Sequence, residues 1–157
     1  MQSLDEYKSF LKEVRKATGL TMMVPDETGL LTVSVDGAYT LNLQYIEGTN
    51  KILCFIEITK LKEATPKSVY RALLAAALFG KDTAGGYFSL EEESNTLIYN
   101  YIFDDKDTHS TDEFIAILEK ILQLCEVWVD KINRLSDNQP QSTTTTIDFS
   151  NMINLRL

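Results

Sequence analysis

At 157 residues the chain has room for one domain with a real core, and a composition 44% hydrophobic and 10% aromatic is enough to fill it. The net charge of -8 and pI near 4.6 argue against nucleic acid, whose phosphates demand a basic face, and equally against an anionic membrane surface. The same charge suits a soluble, cytoplasmic protein that must resist aggregation.

The chain opens Met1-Gln2-Ser3-Leu4-Asp5-Glu6, with no basic-then-apolar leader, so no secretory signal is expected. No apolar run is long enough to span a bilayer. Ser3 and Glu6 form a capping box. Leu4, Tyr7, Phe10, Leu11, Val14 and Ala17 follow at helical spacing, with a wet face of Lys8, Lys12, Glu13, Arg15 and Lys16 and a stop at Gly19. A connection through Pro25 and Gly29 comes next. Its Met22, Met23 and Val24 are read as packing beneath the first helix, with an adaptable binding surface as the alternative.

Residues 30–60 predict a three-stranded antiparallel meander. Leu31, Val33 and Val35 alternate with Thr32 and Ser34, Asp36-Gly37 is a strong hairpin turn, and Tyr39, Leu41, Leu43 and Tyr45 alternate with polar residues. The third strand is apolar on both faces: Ile52, Cys54, Ile56 and Ile58 on one, Leu53 and Phe55 on the other. That pattern predicts a central strand or an outer face awaiting a partner.

Thr65 and Pro66 predict a helix start, with Thr65 as N-cap. The helix carries Val69, Tyr70, Leu73, Leu74, Ala76, Ala77 and Leu78, ends at Gly80, and is expected to be covered on more than one side. Gly85-Gly86 leads irregularly into a strand at Tyr87–Leu90, and Thr96 to Phe103 makes another, with Leu97, Tyr99 and Tyr101 opposite Ile98 and Ile102. Ser110 and Glu113 repeat the capping box. Phe114, Leu118, Ile121, Cys125, Trp128, Ile132 and Leu135 then form a heptad stripe that predicts a long core helix, with Trp128 as a packing anchor. From Ser136 the polar run through Thr143–Thr146 predicts a linker. Ile147, Phe149, Met152, Ile153, Leu155 and Leu157 then return apolar character, either as a frayed tail or as an adhesive segment that docks on this protein or a partner. The expected organisation is one domain over residues 1–135 and a flexible tail over 136–157.

Catalytic chemistry finds little footing. His109 is the only histidine, so no histidine pair can hold a metal. The loop Asp105-Lys106-Asp107-Thr108-His109-Ser110 lacks the glycine and glutamate of a calcium loop. Gly80-Lys81 is followed by Asp82, which rejects a phosphate loop. Glu91, Glu92 and Glu93 read as a solvated turn, and Cys54 and Cys125 as reduced core thiols. No cofactor and no enzyme activity are expected.

The order helix, three strands, helix, two strands, helix defines an α+β fold, α-β-β-β-α-β-β-α, in which a twisted antiparallel sheet packs with helices. In that order, spacing and acidic setting the chain resembles the class I chaperones of bacterial type III secretion, the Tir-chaperone-like group. Leu31–Gly37 with Tyr39–Tyr45 looks like the family's opening hairpin. Arg71–Phe79 followed by Thr83-Ala84-Gly85-Gly86 resembles its leucine- and alanine-rich helix and glycine turn. Tyr87–Leu90 with Thr96–Tyr101, and Phe114–Leu135 with Glu126 and Trp128, are similar to its later strand pair and closing helix. Ala84 stands where the family more often has glycine, and the tail extends past the family's usual end.

The resemblance implies a cytoplasmic bacterial homodimer that binds the N-terminal region of a secreted effector, keeps it extended without ATP, and promotes its secretion. It implies contact with the secretion-apparatus ATPase as well, and no membrane insertion. By the same analogy Tyr7, Phe10, Leu11, Leu31, Val33 and Phe55 would line the effector groove, and Val69, Leu73, Ala76, Ala77, Ile98 and Tyr99 would meet the second protomer. A dimeric adaptor without a secreted client is the alternative.

Overall fold

The computed structural model describes residues 3–104 and 106–137; of the tail expected over 136–157, Ser136 still belongs to the last helix, and everything after Asp137, the adhesive segment included, lies outside the described residues. The elements are α1 (Leu4–Thr18), β1 (Leu30–Val35), β2 (Tyr39–Ile46), β3 (Lys51–Lys60), α2 (Lys67–Ala76), β4 (Tyr87–Glu91), β5 (Thr96–Phe103) and α3 (Thr111–Ser136). The α+β order read from the sequence is the order observed. The five strands form one antiparallel sheet in the order β1-β2-β3-β5-β4. β3 is therefore central, one of the two placements its two apolar faces predict.

Local chemistry explains most boundaries. The Ser3 hydroxyl accepts the Glu6 amide at 3.2 Å, and the Ser110 hydroxyl accepts the Glu113 amide at 3.0 Å. Each first turn also carries two acidic residues, which favour the positive end of the helix dipole. Gly19, at φ 71°, closes α1 by returning its N–H to the Arg15 carbonyl. In the first hairpin Asp36 and Gly37 both take positive φ, 52° and 67°, the sign that matches the twist of the flanking strands.

One boundary differs. The Thr65 amide is drawn into a turn onto the Lys62 carbonyl, and the first helical bond of α2 runs from the Val69 amide to the Pro66 carbonyl. Pro66 is thus the N-cap and Thr65 sits one residue too early, so α2 has no side-chain cap. Its other end also differs. The α-helix stops at Ala76, and a single 3-10 turn over Leu78–Gly80 follows, with Phe79 in the left-handed region.

The core lies on one face of the sheet. Leu31, Leu41, Leu43, Tyr45, Ile52, Cys54, Ile56, Leu97, Tyr99 and Phe103 meet Tyr7, Leu11 and Val14 of α1, Val69, Leu73 and Ala76 of α2, and the buried stripe of α3. That stripe includes six of the seven residues read from the heptad, adds Leu124, and leaves Leu135 half-buried. Trp128 is 2% exposed. Its indole N–H donates to the Asp82 carbonyl at 3.3 Å and its ring meets Phe88 edge-on. Cys54 and Cys125 are free and buried. Burial pushes the Cys125 thiol up to about 12 and raises Cys54 further, which leaves both without useful thiolate at neutral pH.

The segment 80–86 closes on itself. The Thr83 hydroxyl donates to the Gly86 carbonyl and the Tyr99 hydroxyl donates to the Thr83 carbonyl, both at 2.6 Å. Thr83 is fully buried, and Gly86 passes so close to β5 that a Cβ there would overlap the Tyr99 hydroxyl and the Asn100 carbonyl. Gly86→Ala should therefore cost about 3 kcal/mol, read by urea denaturation, whereas Gly48→Ala, in open space at φ 75°, should cost only about 1 kcal/mol. Equal losses at the two positions would disprove the close approach.

Candidate protein-binding surface

Among the described residues no helix covers the sheet's second face. Along β3 the side chains that turn away from the core are Leu53, Phe55 and Glu57, and along β5 they are Ile98, Asn100 and Ile102. Leu53, Phe55 and Ile98 are half-buried but do not pack against the core cluster, and Ile102 is exposed. The strand register sets them in rows. Leu53 lies opposite Ile102, Glu57 opposite Ile98, and one row runs Thr32, Asn42, Phe55, Asn100, Tyr87 across all five strands. Two asparagines hold that row. The Thr32 hydroxyl meets the Asn42 amide oxygen at 2.8 Å, the Asn42 amide donates to the Phe55 carbonyl at 3.4 Å, and the Asn100 amide donates to the Ser89 hydroxyl at 2.8 Å. Both asparagines are at most 9% exposed, so the row is a shallow polar floor with Phe55 and Tyr87 standing above it.

A second apolar surface lies on α2. Val69, Leu73 and Ala76 face inward, which leaves Tyr70, Leu74, Ala77 and Leu78 on the opposite side. Leu74 is 77% exposed and Phe79 is 95% exposed. Phe79 also holds φ 58°, a conformation that costs a side chain about 1 kcal/mol or more and persists only where something repays it.

A third lies in the connection before β1. Met23 is buried there, but Leu20, Met22 and Val24 are exposed. The expected packing beneath the first helix therefore holds for Met23 alone; the short chain reversal, with the Val24 amide on the Met22 carbonyl at 2.8 Å, turns its neighbours out. The strand edges are a fourth feature. β1 pairs only with β2 and β4 only with β5 among the described residues, so each presents unpaired backbone groups.

Against this geometry the residues expected to bind divide sharply. Tyr7, Leu11 and Leu31 are fully enclosed in the core; the Tyr7 hydroxyl donates to the Leu43 carbonyl at 3.2 Å and its ring stacks on Tyr45. Phe10, Val33 and Phe55 keep accessible surface, but in different places. Phe10 meets Phe114 between α1 and α3, Val33 lies on edge strand β1, and Phe55 is on the second sheet face. Of the residues expected to meet a second protomer, Val69, Leu73, Ala76 and Tyr99 are inside the protomer's own core, while Ala77 and Ile98 retain surface. The burial of the first group follows from the helix phase: α2 is apolar nearly all round, and its spacing alone does not say which stripe turns inward. The described residues of the polar loop after β5 bond mainly to one another. Asp104 and Lys106 pair at 3.3 Å, the Asp107 carboxylate accepts the Asp104 amide, and His109 is exposed. A depression of about 370 Å³ beside Asp104 and Lys106 is lined by Thr49, Asn50 and Lys51 and is open to solvent.

Among the described residues, a five-stranded antiparallel sheet is backed by helices on one side and leaves a partly apolar second face open. The Tir chaperone protein (CesT) family model matches residues 9–129, and the chain belongs to that family. A Chlamydia pneumoniae protein is 23% identical over 113 residues, 67% of this chain and 85% of that one. Among solved structures, a chain of the ExsC–ExsE complex superposes with a TM-score of 0.71 at 16% identity, covering 88% of this chain and 100% of that one. A chain of the HopA1–SchA chaperone–effector complex gives 0.66 at 20% identity, covering 79% and 93%. One from the Yersinia pestis type III secretion chaperone SycH with a stable fragment of YscM2 gives 0.60 at 22%, covering 83% and 99%. At these identities the structural likeness establishes the fold. No helix among the described residues is long and apolar enough to cross a membrane.

Phe79 gives this surface a direct test. Its side chain buries almost nothing within the protomer, so Phe79→Gly should relieve backbone strain and stabilise the isolated chain by up to about 1 kcal/mol. Thermal melts at low protein concentration read this. A clear loss of stability in the dilute protomer would show that Phe79 is a structural contact.

Proposed function

We propose that this chain is an ATP-independent chaperone that holds the N-terminal region of one or more type III secreted effectors in extended form and promotes their secretion. The observation that carries the reading is the apolar surface left over by the core of the described residues, on a strongly acidic protein whose two outer strands each have one edge unpaired among the described residues. A folded monomer gains nothing from such surface; an unfolded segment can bury it. An extended client strand would bond to an edge through its backbone while alternate side chains fill apolar contacts. The edge at β1 is favoured for the client, because exposed Leu20, Met22 and Val24 precede it and half-buried Val33 lies on it. No nucleotide is needed where binding energy alone keeps the segment from folding. The complexes named for the similar structures, among them a chaperone–effector pair, support the same reading.

We place the homodimer contact on the outward stripe of α2, Tyr70, Leu74, Ala77 and Leu78, together with Phe79. This replaces the enclosed residues Val69, Leu73, Ala76 and Tyr99 with accessible neighbours on the same helix and turn. Delivery to the secretion apparatus, including its ATPase, and residence in the bacterial cytoplasm complete the proposal.

Co-purification from a secretion-competent host, with identification of the bound polypeptide, tests the function; recovery of no secreted protein bound through its N-terminal region would refute it. Two substitutions test its parts. Met22→Asp with Val24→Asp alters exposed side chains only, so the fold should stand while affinity for the captured segment falls about tenfold or more. Leu74→Asp with Phe79→Asp should place unpaired charges in the dimer contact at a cost of several kcal/mol. Light scattering should then report a monomer with unchanged circular dichroism; a surviving dimer would move the contact elsewhere.

A further inference from the structure

We propose that Met22 is an oxidation site that controls loading, given the client surface proposed above: a hydroperoxide converts its thioether to the sulfoxide, which makes the connection before β1 polar and weakens its hold on a client segment.

Sulfur in this chain is divided sharply by accessibility. The sequence has four methionines and two cysteines, and Met1 and Met152 lie outside the described residues. Of the other four, Cys54 and Cys125 are fully enclosed and Met23 is 5% exposed, whereas Met22 is 61% exposed. Burial also raises both thiols. A thiol reacts with peroxide as its thiolate, so the two cysteines are shielded twice over. A thioether needs no deprotonation. The Met22 sulfur lone pair attacks one oxygen of hydrogen peroxide, and the S–O bond forms as the O–O bond breaks. Sulfur loses two electrons. The proton of the transferred oxygen passes to the departing hydroxide, which leaves as water.

The backbone holds Met22 outward while its neighbour stays in. Gly19 closes α1 on the Arg15 carbonyl, the Leu20 amide donates to the Thr18 hydroxyl at 3.3 Å, and the Met23 amide donates to the Leu20 carbonyl at 3.2 Å. On the far side the Asp26 carboxylate accepts the Thr28 and Leu30 amides, which ties the connection to the start of β1. Met23 anchors this reversal in the core, and Leu20, Met22 and Val24 are left exposed. An oxygen added to Met22 therefore lands in solvent and leaves the core intact. Against an apolar client the same oxygen must be stripped of water, which lowers affinity by about tenfold or more. A bound client covering the connection would shield the sulfur, so the site acts on the empty chain: peroxide prevents new loading and spares complexes already formed. A thiol-dependent methionine sulfoxide reductase, which removes the oxygen as water while two thiols become a disulfide, would restore the surface.

Hydrogen peroxide on the full-length chain, purified alone, tests the chemistry. Mass spectrometry should place oxygen on Met22 well before Met23 or either cysteine, with circular dichroism and the thermal melt unchanged. The polypeptide co-purified from a secretion-competent host is then offered to the treated chain. Its affinity should fall about tenfold or more and return after reductase treatment. In Met22→Leu, measured against its own untreated affinity, peroxide should change nothing, although every other sulfur is still present. Oxidation of Met22 no faster than of Met23, or an equal peroxide-dependent loss in Met22→Leu, would overturn the proposal. So would full binding by the Met22 sulfoxide, and in that case the chaperone function would stand while the oxidation site fell alone. Recovery of no secreted polypeptide would instead remove the client surface, and the loading control with it.

Discussion

The structure rests on an imbalance between sheet and helix. Five strands present two faces, and the helices of the described chain share a single core on one of them. β3 sits at the centre with apolar side chains on both sides, so its Ile52, Cys54 and Ile56 are satisfied while Leu53 and Phe55 are not. Covering the second face would need another helix or another molecule. The row Thr32, Asn42, Phe55, Asn100, Tyr87 shows how the bare face is kept in order meanwhile. Its asparagines bond to neighbouring side chains and backbone, which fixes a floor that is neither greasy enough to collapse nor polar enough to repel an apolar visitor.

The exposed end of α2 depends on the same sheet. Tyr99 reaches from β5 to the Thr83 carbonyl, Thr83 ties back to Gly86, and the Gly85 amide bonds to the Gly80 carbonyl. This buried knot fixes where the chain leaves α2 and where β4 begins. With both ends held, Leu78–Gly80 must turn tightly, and Phe79 takes a left-handed conformation that asparagine or glycine would adopt more cheaply. A strained phenylalanine held in solvent by a rigid support is consistent with a contact made outside the protomer.

Much of this was readable from the residues because each signal was local. Ser3 and Ser110 marked helix starts through a single side-chain bond, Asp36-Gly37 marked a hairpin, and the two-sided apolar pattern of Ile52–Ile58 marked a central strand. What was not readable depended on packing over distance. In α2 the stripes Val69, Leu73, Ala76 and Tyr70, Leu74, Ala77 are both apolar at helical spacing, so periodicity had no contrast from which to choose the inward one. Tyr7, Leu11 and Leu31 looked equally fit for groove or core, and only packing over distance, such as Tyr7 on Leu43 and Tyr45, decides it. Thr83 gave no signal at all, since a threonine between Asp82 and Ala84 looks like any loop residue until Tyr99 is placed above it. Asn42 could have been noticed as a polar residue with a strand neighbour of matching phase, Thr32, across the Asp36-Gly37 turn.

Leaving apolar surface uncovered carries its own hazard, because surface that can hold a foreign strand can also hold another copy of itself. Two features of this chain oppose that outcome on different length scales. The net charge of -8 repels copies at a distance of about a Debye length, roughly 8 Å at physiological salt, but it acts equally on any acidic client and weakens as salt rises. At contact, selectivity must come from shape. The exposed residues are divided among the second sheet face, the outward stripe of α2 and the connection before β1. A long extended segment is the kind of ligand that can visit separated patches in turn, since each residue advances it by about 3.3 Å and its backbone can pair where an edge is open. A compact folded partner would meet one patch and leave the others wet.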